Sequence, residues 1–531
     1  MEWFTAPDYW LSRIVFQRGL AGIYLVAFLA AALEFRALIG ERGMLPVPDH
    51  LRRMDSRRTP SLFHRHYSDR LFAAVSWTGA VLALALVAGA GDAVPLAVSM
   101  LLWALLWGLY LSIVNVGQTW YAFGWESLLL ETGFLAVLLG NDDIGPPLLV
   151  LVLLRWLLFR VEFGAGLIKI RGDRCWRDLT CLYHHHETQP MPGPLSWYFH
   201  RLPRPLHRAE AAANHVVQLF VPVLLFAPQP VATVAAGLMA ATQLWLVLSG
   251  NFAWLNWLTI VLALSVMDGS ALVGNHPRPA PPLWYVTVVC AATALVLALS
   301  YRPARNLVSR HQAMNRSYDP FHLVNSYGAF GTVGRVRHEI VVEGTDEPAP
   351  GPDTVWKEYG FKGEPGDPRR LPRSFAPYRL RPDSRQADWY KERSRAGELV
   401  LKRADREVSP AAVWREYGFR GKPSEPGRWP RQYAPWHLRL DWLLWFVALS
   451  PSYGTPWFDG FVLRLLLNDE DLLKLIRHNP FPDSPPTYIR CRLYRYRFTT
   501  WRELRETHDC WHRTYIRDMI PPVRLRPPPE P

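Results

Sequence analysis

The segment 164–207 is dense in residue types that can hold a charge, a proton or a metal. Its candidate functional residues are Lys169, Arg171, Gly172, Asp173, Arg174, Trp176, Arg177, Asp178, His185 and Glu187. Cys175, Cys181, His184, His186 and His200 add thiols and imidazoles, which are the ligands that zinc prefers. Structural zinc sites, however, favour closer cysteine pairs than Cys175 and Cys181, and Trp, Tyr, His and Arg also suit the headgroup region of a membrane. The sequence therefore predicts no metal and no cofactor.

Charged residues also occur within or next to apolar segments, where they are costly and become functional hypotheses by default. They are Glu126, Glu131, Arg155 and Glu162. Arg155, Glu162 and Lys169 follow one another at intervals of seven, so a helix places them on one face. Two interpretations stay open, namely interhelical ion pairs that stabilise a bundle, or a proton relay or buried substrate site. No residue is assigned a catalytic role.

The elements that position these residues belong to an apolar first half of the chain. The 531 residues are half hydrophobic and carry a net charge of +13. Residues 1–301 hold 20 Lys and Arg against 18 Asp and Glu, whereas residues 302–531 hold 39 against 28. This contrast predicts a multi-pass membrane domain over 1–301 and a basic extramembrane domain, rich in Pro, Trp and Arg, over 302–531.

About nine membrane spans are predicted, because a helix needs roughly 20 mostly apolar residues to cross a bilayer. They cover 14–33, 71–91, 94–116, 127–140, 148–168, 211–227, 231–248, 252–267 and 283–301, the fourth and eighth being the shortest. The first is predicted to be an uncleaved span, because no small-residue cleavage site follows it. The predicted fold class is an α-helical membrane domain followed by a mixed, strand-containing domain.

Two loops concentrate the basic residues of the membrane half. The loop 34–70 holds eight arginines and the loop 169–210 holds seven lysines or arginines, whereas the loops at 92, 141–145 and 228–230 hold none. With nine spans, both basic loops and the C-terminal domain lie on one side. The positive-inside rule predicts that this side is cytoplasmic.

The C-terminal portion contains a duplicated block, 355–383 and 413–441, with a constant offset of 58 residues. Its copies begin VWKEYGFKG at Val355 and VWREYGFRG at Val413. Only the second copy leads into an Asp-Trp pair and an apolar stretch, so we expect the second copy to pack into the domain. The charged stretch 389–407 is predicted to be a helical or mobile insert.

Other elements of this portion follow from local patterns. The alternating segment 338–343 predicts a strand, and 457–467 and 472–477 have helical periodicity. The apolar stretch 443–449 is too short to span, so it packs in a core or lies on the membrane. Trp442, Trp445 and Phe446 are candidate contacts for another protein, although a buried aromatic cluster explains them as well.

The five cysteines leave the redox compartment open. Cys175 with Cys181, and Cys491 with Cys510, could form local disulfides in an oxidising compartment and would be free thiols in a reducing one. Cys290 lies inside the ninth predicted span. No C-x-x-C motif is present, which argues against a thiol oxidoreductase.

Several blocks closely resemble the lipase maturation factor family. The strongest is 164–192 with its continuation 194–198, preceded by the block 117–134 and followed by 325–344 and 479–498. The resemblance covers nearly the whole chain. It implies a polytopic membrane protein, in animals of the endoplasmic reticulum, that dimeric lipases need to reach an active fold. The family has one copy of the block that is duplicated here.

The resemblance implies a non-enzymatic factor that assists folding or assembly of client proteins such as secreted lipases. The composition looks bacterial, which would place the protein in the plasma (inner) membrane rather than the endoplasmic reticulum. The competing interpretation is a membrane enzyme with a site between helices, since the spans distantly resemble those of vitamin K-dependent carboxylases. The expected partners are a client protein and the lipid bilayer. Nucleic acid is not expected, because no binding module accompanies the basic charge.

Overall fold

The computed structural model describes residues 3–274, 278–366, 368, 389–393, 399–403, 406–408, 436–450 and 456–525. The first half is helical, with α1 (Trp10–Leu38), α2 (Val47–Leu51), α3 (Asp69–Val87), α4 (Leu96–Val116), α5 (Gly124–Val137), α6 (Leu148–Arg171), α7 (Arg174–Arg177), α8 (Leu182–Thr188), α9 (Ser196–His200), α10 (Arg204–Leu219), α11 (Val231–Ser249), α12 (Leu255–Leu264), α13 (Ser270–Val273), α14 (Leu283–Leu299) and α15 (Tyr301–Val308). The second half adds α16 (Arg439–Leu449), α17 (Trp457–Leu466), α18 (Glu470–Leu473) and α19 (Trp501–Thr507).

The strands all lie in the second half of the chain. They are β1 (Arg316–Ser317), β2 (Asn325–Ser326), β3 (Arg337–Thr345), β4 (Lys357–Glu358), β5 (Trp389–Arg393), β6 (Leu399–Arg403), β7 (Arg406–Val408), β8 (Tyr488–Phe498) and β9 (Trp511–Val523). The main sheet is antiparallel with the order β4-β3-β8-β9. In its central pair Val342 lies opposite Cys491.

Six helical stretches are long and apolar enough to cross a membrane. They are Pro7–Leu38, Asp69–Val87, Leu96–Val116, Arg204–Phe226, Val231–Ser249 and Leu283–Val308. The other three predicted spans coincide with α5, α6 and α12, so all nine predicted positions are helical. Because α5 has only 14 residues and α12 only 10, neither reaches across roughly 30 Å of hydrocarbon, and nine is an approximate count. The α-helical multi-pass membrane class is confirmed.

Polar contacts tie the loops together at each end of the helix bundle. At one end Arg13 of α1 lies 2.5 Å from Asp92, and Asp142 accepts from Arg278 at 2.8 Å. At the other end Gln118 donates to the Leu45 carbonyl at 2.8 Å. That second end also carries both basic loops and the C-terminal domain, as the alternation of spans predicts.

A continuous apolar core runs from the bundle into the C-terminal domain. Ile340 and Val342 of β3 belong to it, as do Leu443 and Val447 of α16 and Phe461 of α17. The predicted strand at 338–343 is confirmed by β3. The short apolar stretch at 443–449 lies within α16 and packs into this core rather than spanning.

Two expectations for local structure are wrong. The charged stretch 389–407 contains no helix among its described residues and instead forms the antiparallel strands β5, β6 and β7. Trp389, Tyr390 and Val400 are residue types that favour strands, and Gly397 disfavours the interior of a helix. The helical pattern at 472–477 gives only the one turn of α18.

Close packing of α1 against α3 depends on Gly79, because an added Cβ would lie 2.3 Å from Cε1 of Phe28. We expect Gly79→Ala to destabilise the protein by about 1–3 kcal/mol, the usual cost of overpacking a filled core. Thermal unfolding in detergent measures this. Gly22→Ala is the control, since nothing lies within 4 Å of its added Cβ. Equal midpoints for both variants would contradict the packing described.

Candidate functional site

A fully buried arginine of the C-terminal domain enters the helix bundle and contacts two of its carboxylates. Arg439 at the start of α16 donates from Nη1 to Glu34 of α1 at 3.2 Å and from Nη2 to Glu126 of α5 at 3.0 Å. Its side chain has no exposed surface, and the two glutamates have 7% and none. We call these three residues the Arg439 cluster. Since a lone charge is expensive to bury, the Arg439 guanidinium stabilises the two buried carboxyl groups that it joins.

Aromatic and polar side chains enclose the Arg439 cluster. The Arg439 guanidinium lies 4.0 Å from the ring centroid of Tyr121, in cation–π contact. The hydroxyl of Tyr110 donates to Glu126, and Nε1 of Trp436 donates to Glu34 at 3.0 Å. These donors satisfy the carboxylate oxygens that Arg439 does not reach, so the cluster is suited to anchoring and leaves Glu126 little freedom for proton transfer.

The second predicted carboxylate, Glu131, anchors another part of the C-terminal portion. It forms an ion pair with the buried Arg160 of α6. It also accepts from the backbone N–H of Asn325 at 3.0 Å and from the hydroxyl of Tyr327 at 2.7 Å. Glu131 therefore joins α5 and α6 to the segment where the chain leaves the membrane domain.

The predicted functional loop lies against the same segment. The Asp173 carboxylate forms an ion pair with Arg335 at 2.9 Å, and Nε1 of Trp176 donates to the Phe330 carbonyl at 2.7 Å. Gly172 approaches the backbone so closely that an added Cβ would lie 2.2 Å from the Gly331 oxygen. These residues form a tight backbone junction, which explains why they occur together in the sequence.

Further along the loop, Glu187 and its neighbours hold the main sheet. Arg337 of β3 donates to the carbonyls of Glu187 at 3.2 Å and Pro190 at 3.1 Å, and it forms an ion pair with Glu339 at 2.5 Å. The Glu187 carboxylate accepts from the backbone N–H of Phe498 at 2.7 Å. The loop therefore contacts both β3 and β8 and supports the main sheet.

Lys169 and Glu162 do not touch each other but share a partner. Nζ of Lys169 donates to Asn214 and Gln218, each at 2.8 Å. Glu162 accepts from Gln218 at 3.1 Å and from Gln243 at 2.8 Å. Every one of these groups lies between α6, α10 and α11 and is hydrogen-bonded, so the network is well suited to holding helices together.

The remaining predicted residues are dispersed. Arg155 donates to the hydroxyl of Tyr9 at 2.7 Å and has no carboxylate partner among the described residues. Arg174 and Asp178 form a solvent-exposed pair at 3.2 Å. Arg171 donates to Gln312 at 3.0 Å and Arg177 to the Ile170 carbonyl at 3.2 Å. The structure does not bring these residues into one pocket.

His185 is a buried residue of α8 within the loop. Its ring lies 5.2 Å from that of Phe330 and stacks at 6.3 Å on Phe252. Burial lowers the pKa of His185 to about 4. The imidazole is therefore neutral at physiological pH and packs as an aromatic ring.

The duplicated block folds as one composite unit. From the first copy, β4 pairs with β3, and the backbone N–H of Gly363 donates to Asp441. Asp441 comes from the second copy and lies in the first turn of α16. The expectation that the second copy packs into the domain holds for its end, whereas the position beside β3 is occupied by the first copy. Residues 413–435 of the second copy lie outside the described residues.

The three candidate contact residues on α16 differ in exposure. Trp442 is 5% exposed and lies 4.9 Å from Trp125, centroid to centroid. Trp445 and Phe446 are half-buried. Trp442 is therefore part of the internal aromatic cluster, and only Trp445 and Phe446 keep exposed surface.

Cys175 and Cys181 form a disulfide, one of the two local pairs the sequence allows. The other pair is not formed: Cys491 and Cys510 are not disulfide-bonded, and neither is Cys290 in α14.

Family comparisons agree with this architecture. The family model described as lipase maturation factor transmembrane domain matches residues 11–273, and the lipase maturation factor C-terminal domain matches 323–391 and 388–521. The chain belongs to the lipase maturation factor family. Each of the two C-terminal matches contains one copy of the duplicated block. No solved structure matches the chain significantly.

Curated relatives cover almost the entire chain. Lipase maturation factor 1 of Bos taurus is 36% identical over 93% of this chain and 85% of its own length. Lipase maturation factor 1 of Mus musculus is 36% identical over 97% and 88%. Lipase maturation factor 2 of Rattus norvegicus is 28% identical over 97% and 83%. These lengths confirm that both halves belong to a single family architecture.

Sequence reasoning found two carboxylates of the junction, Glu126 and Glu131, but missed Glu34, Arg337 and Arg439. The predicted loop 34–70 includes Glu34, although this residue lies within α1 and is buried. A usable signal existed for Arg439, because Arg381 stands at the equivalent position of the first copy.

The Arg439 cluster gives a direct stability prediction. We expect Arg439→Leu to cost about 3–5 kcal/mol, because it leaves Glu34 and Glu126 buried without a counter-charge. Adding Glu34→Gln and Glu126→Gln to that variant should recover part of the loss. Thermal unfolding of the purified protein in detergent measures both. The control is Arg174→Leu, which breaks an exposed pair worth roughly 0–1 kcal/mol. An Arg439→Leu midpoint equal to that of the control would refute the anchoring role.

A buried acid pair in the C-terminal domain predicts a pH dependence. Burial, with the nearby charges of Glu339 and Asp441, raises the pKa of Glu364 well above its usual range. A raised pKa in the folded state gives stability that is present at low pH and lost as the pH rises through that pKa. Glu364→Gln needs no proton, so its unfolding midpoint relative to the wild type should increase from about pH 5 to about pH 9.

The control for this pH series is Asp353→Asn, which changes a solvent-exposed carboxylate. Its midpoint relative to the wild type should stay constant over the same pH range. A difference between Glu364→Gln and wild type that does not grow with pH would show that the Glu364 carboxyl is ionised in the folded protein.

Proposed function

We propose that this protein assists the folding or assembly of client proteins, secreted lipases among them, by holding partly folded chains at its C-terminal domain. The observation that carries this proposal is the 36% identity to proteins named Lipase maturation factor 1 over at least 93% of the chain. The membrane half provides a rigid base, and the Arg439 cluster fixes the C-terminal domain to it.

The disulfide supports a location for that domain. Cys175–Cys181 requires an oxidising compartment, and it lies in the loop on which the main sheet rests. We place the C-terminal domain in the lumen of the endoplasmic reticulum, or in the periplasm for a bacterial protein. The positive-inside count favours the opposite side, but it is a statistical preference, whereas a disulfide has a chemical requirement.

The edge strand β9 is the client contact that we favour. It has 13 residues and forms the outer edge of the main sheet, and no described strand pairs with its free side. Tyr515 and Ile516 on it are 49% and 43% exposed. An unpaired edge with exposed apolar side chains can accept an extended segment of a partly folded chain by strand addition. Trp445 and Phe446 on α16 are the second contact in this proposal.

The competing enzymatic function has less support. Lys169 and Glu162 are its best candidates, and both are hydrogen-bonded to amide side chains within the bundle. A catalytic base needs access to a substrate proton within hydrogen-bonding distance. Holding three helices together is the role that these contacts favour.

The client contact is tested by a charge on the edge strand. We expect Ile516→Arg to reduce the yield of active secreted lipase at least several-fold, because the exposed edge then repels an apolar segment. The assay uses cells that lack their own lipase maturation factor and co-express the lipase. Abundance of the variant should match the wild type, since the side chain is 43% exposed.

The matched control is Leu463→Arg, which places the same charge on the exposed face of α17, where Leu463 is 48% exposed. It should leave the lipase yield unchanged. Equal yields for Ile516→Arg and wild type would refute the edge-strand contact, and equal losses for the two arginine variants would point to a general effect of charge.

A further inference from the structure

A cluster of three possible metal ligands lies between α8, α10 and α11. His186 of α8, with His207 and Glu210 of α10, places one ligand atom from each side chain within 4.8 Å of the other two. His207 and Glu210 are three residues apart, so both project from one face of their helix. His186 reaches them from a separate element, which makes the cluster a product of the tertiary fold.

The polar atoms of this cluster are buried without partners. His186 is 1% exposed, and neither of its ring nitrogens has a hydrogen-bond partner among the described residues. His207 is 2% exposed with Nδ1 unpartnered, and Oε2 of Glu210 is buried and unpartnered as well. Buried polar groups in proteins are almost always satisfied, so three orphaned acceptors that converge call for a bound species.

The atoms on the far side of these ligands are held in place. Oε1 of Glu210 accepts from Nε1 of Trp245 at 2.8 Å. The His207 ring contacts the rings of Tyr183 and His186, whose centroids lie 5.9 Å and 5.6 Å away. Metal-binding histidines and carboxylates are oriented by such outer hydrogen bonds, which fix the tautomer and the direction of the lone pair.

We infer that His186, His207 and Glu210 form a site for a divalent transition metal, with zinc as the best match. Two imidazoles and one carboxylate are the set found in open zinc sites, where water or a further ligand takes the fourth position. Cys175 and Cys181 are not ligands, because their sulfurs are bonded to each other. The site differs from the one the sequence suggested and rejected, since it uses α10 and no cysteine.

Binding requires a small contraction of the cluster. Zinc lies about 2.0–2.2 Å from nitrogen and oxygen ligands, so ligand atoms around it are roughly 3.3 Å apart. The ligand atoms are at most 4.8 Å apart, so we infer that side-chain rotation of His186 and Glu210 supplies the contraction when the metal binds. The metal would then join α8 to α10 and thereby fix the loop beneath the main sheet.

Zinc binding by the full-length protein in detergent tests this inference. The protein is stripped with a chelator and titrated with zinc against a chromophoric competitor, and its metal content is then measured by mass spectrometry. We expect about one zinc per chain. His186→Ala, His207→Ala and Glu210→Gln should each weaken binding by more than about tenfold. His311→Ala, which removes an exposed histidine elsewhere, should bind as the wild type does.

Cobalt(II) provides a measurement that needs no variant. In wild-type protein a four-coordinate nitrogen and oxygen site gives intense visible absorption, whereas octahedral aqueous cobalt gives almost none. Absence of both the absorption and stoichiometric zinc in the wild type would overturn the inference. Stoichiometric zinc that all three ligand variants retain would overturn it as well, because the metal would then lie elsewhere.

Discussion

The contact of Arg439 with Glu34 and Glu126 is the interaction on which the rest of the structure depends. Buried charged groups are stable only if each has an oppositely charged or hydrogen-bonding partner. The cluster therefore stabilises the fold only when α1, α5 and α16 meet in one geometry. Apolar packing alone tolerates sliding, whereas a guanidinium between two carboxylates does not. The cluster thereby sets where the C-terminal domain sits on the membrane domain.

The same physical device recurs around the junction. Glu131 binds Arg160 together with the segment at Asn325, and Arg337 binds the carbonyls of the loop below β3. In each case a charge within one half satisfies backbone or side-chain groups of the other half. The two halves consequently behave as one body, and the client-binding function that we propose rests on a fixed platform with an exposed sheet edge.

Local patterns predicted the elements that depend on local sequence. The apolar segments and β3 follow from hydrophobic periodicity, whereas Cys175–Cys181 is one of two local pairs that the spacing left open. The junction could not be predicted this way, because Glu34 and Arg439 are distant in sequence and only the fold brings them together. The composite duplicated block was hidden for a different reason: both copies carry nearly the same residues, so their sequence cannot say which half of each copy packs. Intramembrane charge singled out Glu126 and Glu131 as functional hypotheses without revealing that they contact the C-terminal portion of the chain.

Because the junction fixes the C-terminal domain beside the disulfide-bearing loop, one measurement of membrane sidedness locates both and tests the account most directly. Single cysteines at Ala349 and Ala93, which are exposed at opposite ends of the bundle, are placed in a chain lacking Cys290, Cys491 and Cys510. An impermeant maleimide is then applied to intact bacterial cells, or to sealed microsomes for an endoplasmic reticulum protein. The account predicts a domain outside the cytoplasm, hence labelling of Ala349→Cys with protection of Ala93→Cys in cells, and the reverse in microsomes. The opposite pattern would place the domain in the cytoplasm, where neither the disulfide nor a role in folding secreted lipases could stand.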